Sequence, residues 1–121
     1  MNDMDNVIRD KSLAFAIRIV NLYKYLISEK SEFVLSKQLL RSGTSIGANI
    51  SESVAAESKA DFIHKLHIAQ KETYETIYWL TLLEKTLYLT PEQYKSLYTD
   101  CISIRRILAS ILLTMKQQSN S

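Results

Sequence analysis

Two glycines, Gly43 and Gly47, and a single proline, Pro91, are all that this chain of 121 residues contains of either type. A fold of many hairpins needs far more of both, because tight turns draw on glycine for positive φ and on proline for a fixed one. The chain is thereby confined to long helices with short connections. Both glycines fall in one run, Arg41-Ser42-Gly43-Thr44-Ser45-Ile46-Gly47-Ala48-Asn49-Ile50-Ser51-Glu52, four residues apart. On a helix, such a run gives a face that a second backbone can approach closely. In a loop the same composition would cradle an anion. No Gly-Lys-Ser/Thr follows and no strand precedes, which favours the packing face.

Apolar spacing predicts four helices, over residues 6–29, 34–57, 59–88 and 91–117, in a single domain spanning 1–121. The first carries two adjoining apolar rows, Leu13, Ile17, Val20 and Ile27 beside Phe15, Ile19, Leu22 and Leu26. In the second, Leu35, Leu39, Ile46 and Ile50 are the apolar positions, and the two internal glycines cost about 1 kcal/mol each relative to alanine. Ser58-Lys59-Ala60-Asp61 resembles a capping box at the start of the third, and Thr90-Pro91-Glu92-Gln93 marks the start of the fourth. Short connections make an antiparallel up-down-up-down four-helix bundle, all-α, the expected architecture. Phe62, Leu66, Ala69 and Thr73 open the main row of the third helix, which Tyr74, Tyr78 and Trp79 widen. The first and third helices thus have more apolar surface than one core requires, which points to self-association.

The lone Cys101 excludes an internal disulfide and fits a reducing compartment. No apolar run reaches the length of a membrane span, and the acidic start Met1-Asn2-Asp3-Met4-Asp5 lacks signal-peptide character, so a cytoplasmic protein is expected. The net charge of +2 creates no strong field toward nucleic acid. The local excess of positive charge lies in the last segment, on Lys95, Arg105, Arg106 and Lys116.

Few residues carry a chemical pattern. His64 and His67 with Asp61 fall short of a di-iron bundle, which needs two Glu-x-x-His units and further carboxylates; no metal or cofactor is expected. Cys101 lies on an apolar row with no base at a suggestive spacing, and no catalytic set emerges. Arg41, Asn49 and Glu52 are polar residues in the small-residue run, with Ser42, Ser45 and Asn49 on neighbouring faces. They read as a hydrogen-bond network that fixes packing, or as a recognition patch. Lys95, Arg105 and Arg106, near Tyr98, are candidate phosphate contacts, set against an ordinary solvated face.

The segment Gln38-Leu39-Leu40-Arg41-Ser42, continuing through Ser45-Ile46 to Asn49-Ile50-Ser51-Glu52, resembles the core of the family named for proteins encoded in intervening sequences of 23S rRNA genes. Asp61-Phe62, Lys65-Leu66, Ile68-Ala69 and Glu75-Thr76-Ile77-Tyr78-Trp79-Leu80 extend the likeness over nearly the whole chain. Ser53, where many members have glycine, and Gln70-Lys71-Glu72, where many have a Gly-Ser pair, depart from it. The resemblance implies a left-handed four-helix bundle assembled as a ring, typically a homopentamer, without catalytic activity. A similar bundle serves as the accessory protein of diversity-generating retroelements, whose basic ring binds nucleic acid and a reverse transcriptase. The expected function is a non-enzymatic homo-oligomeric scaffold presenting a composite surface to a nucleic-acid (RNA or DNA) or protein partner. The alternative is a direct RNA-binding protein associated with ribosomal RNA.

Overall fold

A computed structural model describes residues 3–120, which form α1 (Asp3–Glu29), α2 (Leu35–Ser53), α3 (Lys59–Lys85) and α4 (Pro91–Asn120). No strand occurs among the described residues. Each helix packs on its neighbours in sequence, and α1 closes the bundle against α4. Paired positions run in opposite directions at every seam. Gly43 and Gly47 of α2 lie against Ile19 and Ser12 of α1. Arg41 and Glu52 of α2 reach Glu75 and Lys65 of α3. Thr73 and Thr81 of α3 meet Cys101 and Tyr94 of α4. These registers define an up-down-up-down antiparallel bundle.

The core draws on one row of each helix: Phe15, Ile19 and Leu26; Leu39, Ile46 and Ile50; Leu66, Leu80 and Leu83; Cys101, Ile104 and Leu108. Of the two apolar rows of α1, the one containing Phe15 and Ile19 points inward. Leu13 and Ile17 remain 63% and 54% exposed.

Four helix ends show how the sequence sets the boundaries. The first connection closes with Ser31 at φ 52°. Glu32, itself buried, then turns its carboxylate on the start of α2, where Oε1 accepts the amides of Val34 (3.1 Å) and Ser36 (2.7 Å). Those amides have no intrahelical partner, so the buried charge meets two of the donors a helix start leaves open. α2 ends at Ser53, earlier than the predicted residue 57. The amides of Val54, Ala55 and Ala56 each bond the carbonyl three residues back, and this tightened turn lets Ser58 become extended as the cap of α3. Ser58 Oγ accepts the Asp61 amide at 3.0 Å, but the Asp61 carboxylate bonds the Glu57 amide (3.3 Å) and not the amide of Ser58. At α4 the reciprocal box is complete: Gln93 N–H to Thr90 Oγ1 at 3.1 Å and Thr90 N–H to Gln93 Oε1 at 2.9 Å.

α3 ends at Lys85, three residues before the predicted 88. Leu87 takes φ 72°, and the amides of Leu87 and Tyr88 return to the carbonyls of Glu84 (3.1 Å) and Leu83 (2.8 Å). This is the Schellman arrangement, here with leucine where glycine is usual.

Candidate functional site

The small-residue run lies wholly inside α2, and neither glycine has positive φ. Its amides are therefore spent on the helix ladder, and no anion nest forms. Serine and glycine side chains leave little between α1 and α2 here. A Cβ on Gly47 would stand 3.3 Å from the Ser12 carbonyl oxygen, and one on Gly43 would stand 2.8 Å from Ile19 Cγ1. Ser42 is fully buried, with its hydroxyl 3.1 Å from that of Thr76 on α3. Ser45 accepts from the amide of Asn49 at both its carbonyl (2.8 Å) and its hydroxyl (3.1 Å), an interaction within one helix.

Arg41 bridges to α3. It donates through Nη2 to Glu75 Oε2, while Nη1 lies 3.4 Å from Glu72 Oε2. Trp79 Nε1 donates to the other Glu75 oxygen at 3.2 Å. Hydrogen bonding to Arg41 holds the Glu75 carboxyl below the usual carboxylate range. Burial pushes Glu72 the other way, with the neighbouring Glu75 charge adding to the rise and Arg41 opposing it. Glu52, one turn beyond Asn49, pairs with Lys65 at 3.5 Å. The sequence-predicted polar set is thus divided: Arg41 and Glu52 tie α2 to α3, while Asn49 closes on its own helix.

The basic set of α4 is also divided. Arg105 lies over the Tyr74 ring of α3 with its guanidinium carbon 4.6 Å from the centroid. Lys95 and Arg106 are exposed and make no ion pair among the described residues. Arg18 of α1, which the sequence did not single out, pairs with Asp100 of α4 at 2.6 Å and with Ser96 Oγ at 2.9 Å. Nothing in the local pattern of either helix announces that contact, because its partners are about eighty positions apart.

His64 and His67 are exposed, and among the described residues no group of three His, Cys, Asp or Glu side chains comes together. Cys101 is buried, and burial raises its thiol pKa to about 12. Its Sγ lies 3.6 Å from the Thr73 carbonyl. A protonated, enclosed thiol is no nucleophile at neutral pH. No described helix is long and apolar enough to cross a membrane.

The remaining feature is apolar surface without cover. Leu13 and Ile17, with half-buried Val20, form an i, i+4, i+7 row on α1. Beside Leu13 runs an open groove of about 470 Å³ between α1 and α2, bordered by Ala16, Thr44, Gly47, Ala48 and Ser51.

Comparison with known proteins gives a consistent assignment. The model of the 23S rRNA-intervening sequence protein family matches residues 4–110. A crystal structure at 1.70 Å resolution, of a protein of unknown function from the S23 ribosomal protein family of Bacteroides thetaiotaomicron VPI-5482, superimposes with a TM-score of 0.89. It is 61% identical, and the match covers 90% of this chain and 97% of that one. No functionally curated protein matches the sequence.

Proposed function

From the premise that this chain belongs to the 23S rRNA-intervening sequence protein family, we propose that it is a non-enzymatic scaffold. Copies of the bundle associate through the uncovered face of α1, most simply as a pentameric ring, and present a composite outer surface to a nucleic-acid or protein partner. The supporting observation is the row of Leu13 and Ile17 beside the α1–α2 groove. Soluble chains seldom leave two large aliphatic side chains one turn apart more than half exposed, and the groove beside Leu13 is lined by small residues together with Asn6, Arg9 and Asp10. A neighbour's side chains can enter a groove whose floor is Gly47 and whose rim is Thr44, Ala48 and Ser51. A closed ring joins unlike patches, so the α1 row of one copy meets a different surface of the next.

Light scattering tests this. The chain at micromolar concentration is expected to have about five times its monomer mass. Replacing Leu13 and Ile17 together by glutamate should yield monomers of unchanged helicity. A wild-type monomer would end the proposal.

A second reading, a direct RNA-binding protein associated with ribosomal RNA, is favoured by one observation: Arg105 of α4 and the exposed Tyr74 of α3 form a cation–π pair. The scaffold reading does not require that contact.

A further inference from the structure

We infer that the outer face shared by α3 and α4 is a stacking platform for single-stranded RNA. The inference rests on the reading above in one respect, that self-association uses α1 and leaves α3 and α4 facing outward.

Three aromatic rings make the platform. Tyr74 and Tyr78 lie one helical turn apart on α3 and are 58% and 59% exposed, while Tyr98 of α4 is 38% exposed. Thr81 meets Tyr94 at 3.1 Å and Thr73 meets Cys101 at 3.6 Å. In an antiparallel pair those two contacts set Tyr78 level with the turn of α4 that leads into Tyr98, and Tyr74 meets Arg105 directly. Each ring is braced by a neighbour: Tyr98 stacks on Tyr94 at 5.6 Å and 26°, and Tyr78 makes a T-shaped pair with Trp79 at 5.0 Å and 77°. Arg105 lies 4.6 Å from the Tyr74 centroid. Braced, exposed rings cost little further entropy when a flat group stacks on them.

Charge distinguishes this face from an ordinary apolar patch. Four of the six carboxylates of α3 and α4 are occupied elsewhere: Glu72 and Glu75 by Arg41, Asp100 by Arg18, and Glu84 by Lys85. Asp61 lies in the first turn of α3, more than three turns before Tyr74, and Glu92 lies in the first turn of α4, six residues before Tyr98. Lys71, one turn before Tyr74, and Lys95, one turn before Tyr98, are exposed and make no ion pair among the described residues; the same holds for Lys116 and Arg106. Rings with π-faces, interleaved with unneutralised cations, match a chain of bases on a phosphate backbone. A protein partner would need acidic and apolar groups in one fixed pattern; a single strand supplies charge and stacking at every residue. The phenol hydroxyls of Tyr74, Tyr78 and Tyr98 have no hydrogen-bond partner among the described residues, so they are open to a 2′-hydroxyl, the group that separates RNA from DNA.

The test is fluorescence anisotropy of the full chain with a labelled, unstructured pyrimidine RNA, alongside DNA of the same sequence and an RNA duplex. RNA should bind with affinity that falls as salt rises from about 50 to 200 mM. It should bind better than DNA, and the duplex should bind at least about tenfold more weakly. Because each ring contributes about tenfold, Tyr78→Ala with Tyr98→Ala should weaken binding by about a hundredfold. Tyr74→Phe, Tyr78→Phe and Tyr98→Phe combined should keep the affinity and lose the preference over DNA. Light scattering on the same variants must show the wild-type assembly. No RNA binding at low salt, indifference to the alanine pair, or DNA bound as well as RNA would each overturn the inference. So would disassembly of the oligomer by the alanine pair, which would identify the face as the surface that receives α1. A monomeric wild type that still binds RNA through these rings would reject the ring scaffold and leave the platform standing.

Discussion

Gly47 of α2 rests on the backbone of α1 at Ser12, so close that a Cβ would stand 3.3 Å from the carbonyl oxygen and 3.4 Å from the serine hydroxyl. Gly43, one turn earlier, faces Ile19, whose two Cγ atoms would lie 2.8 and 2.9 Å from a Cβ. Ile19 is fully buried and cannot swing away. Alanine brings about 1 kcal/mol of helix propensity at either position, against an overpacking cost of about 1–3 kcal/mol. Gly43→Ala should therefore destabilise by about 1–2 kcal/mol. Gly47→Ala, which asks the α1 backbone to give by a few tenths of an ångström, should be nearly neutral. Gly47→Leu should lower the urea midpoint more than either. Urea unfolding checks all three, and a Gly47→Leu variant as stable as wild type would remove the case for close packing at this seam.

Much of this was legible in advance, and the reasons for the rest are physical. The four helices followed from periodicity, scarce turn residues and the Thr90–Gln93 box, all local signals. Which α1 row faces the core was not readable, because Phe15–Ile19 and Leu13–Ile17 have the same spacing and hydrophobicity. Only the angle at which α2 and α4 dock separates them. The partners of Arg41, Arg18 and Arg105 lie on other helices, so no window of sequence contains both ends of those contacts. The cap that Glu32 supplies is illegible in the sequence for a different reason. It lies in a polar break that reads as a loop, and a buried carboxylate capping a helix from two residues before the cap position has no short sequence signature.

At the end of α3, Leu87 is held at φ 72° and is 87% exposed. A leucine there has backbone strain of about 1–2 kcal/mol and gains almost nothing from burial. Glycine removes the strain, at a cost of up to about 1 kcal/mol in unfolded-chain entropy. Leu87→Gly should stabilise the chain by about 0.5 kcal/mol, read as a small rise in Tm. A drop of more than about 1 kcal/mol would mean that the Leu87 side chain has a partner, for example across an oligomer contact.

The Arg41 cluster sets two carboxylates against each other. Glu75 is depressed by its bond to Arg41, so its contribution is present above the unfolded carboxylate pKa and lost as pH falls through the folded one. Glu72 is raised by burial, so its carboxylate opposes folding increasingly as pH rises through its folded pKa. Glu75→Gln should then cost about 0.5 kcal/mol at pH 7, a modest figure because Arg41 and Glu75 are both more than a third exposed, and the cost should vanish in acid. Glu72→Gln should raise stability at pH 7 and leave it unchanged below pH 4. Urea midpoints between pH 3 and pH 8 test both signs, and parallel curves for the two variants would contradict the assignment.

Cys101 reports on the closure of the core. Its thiol is fully buried among α3 and α4 and pushed up to about 12 by burial, with Asp100 adding to the rise and Arg105 opposing it. Unfolded, the same thiol titrates near 8.5. The raised folded value means that Cys101 costs nothing below pH 8.5 and lowers stability progressively from there to about pH 12, since the unfolded chain releases the proton first. Alkylation by iodoacetamide at pH 8 should therefore proceed only through opening of the bundle. Its rate should rise steeply with urea and fall with every substitution that stabilises the chain, Leu87→Gly included. Cys101→Ala should flatten the alkaline loss of stability, at a cavity cost that is the same at every pH. Rapid labelling of the native protein would show instead that the α3–α4 seam opens without unfolding, and an alkaline profile unchanged in Cys101→Ala would place that titration on another group.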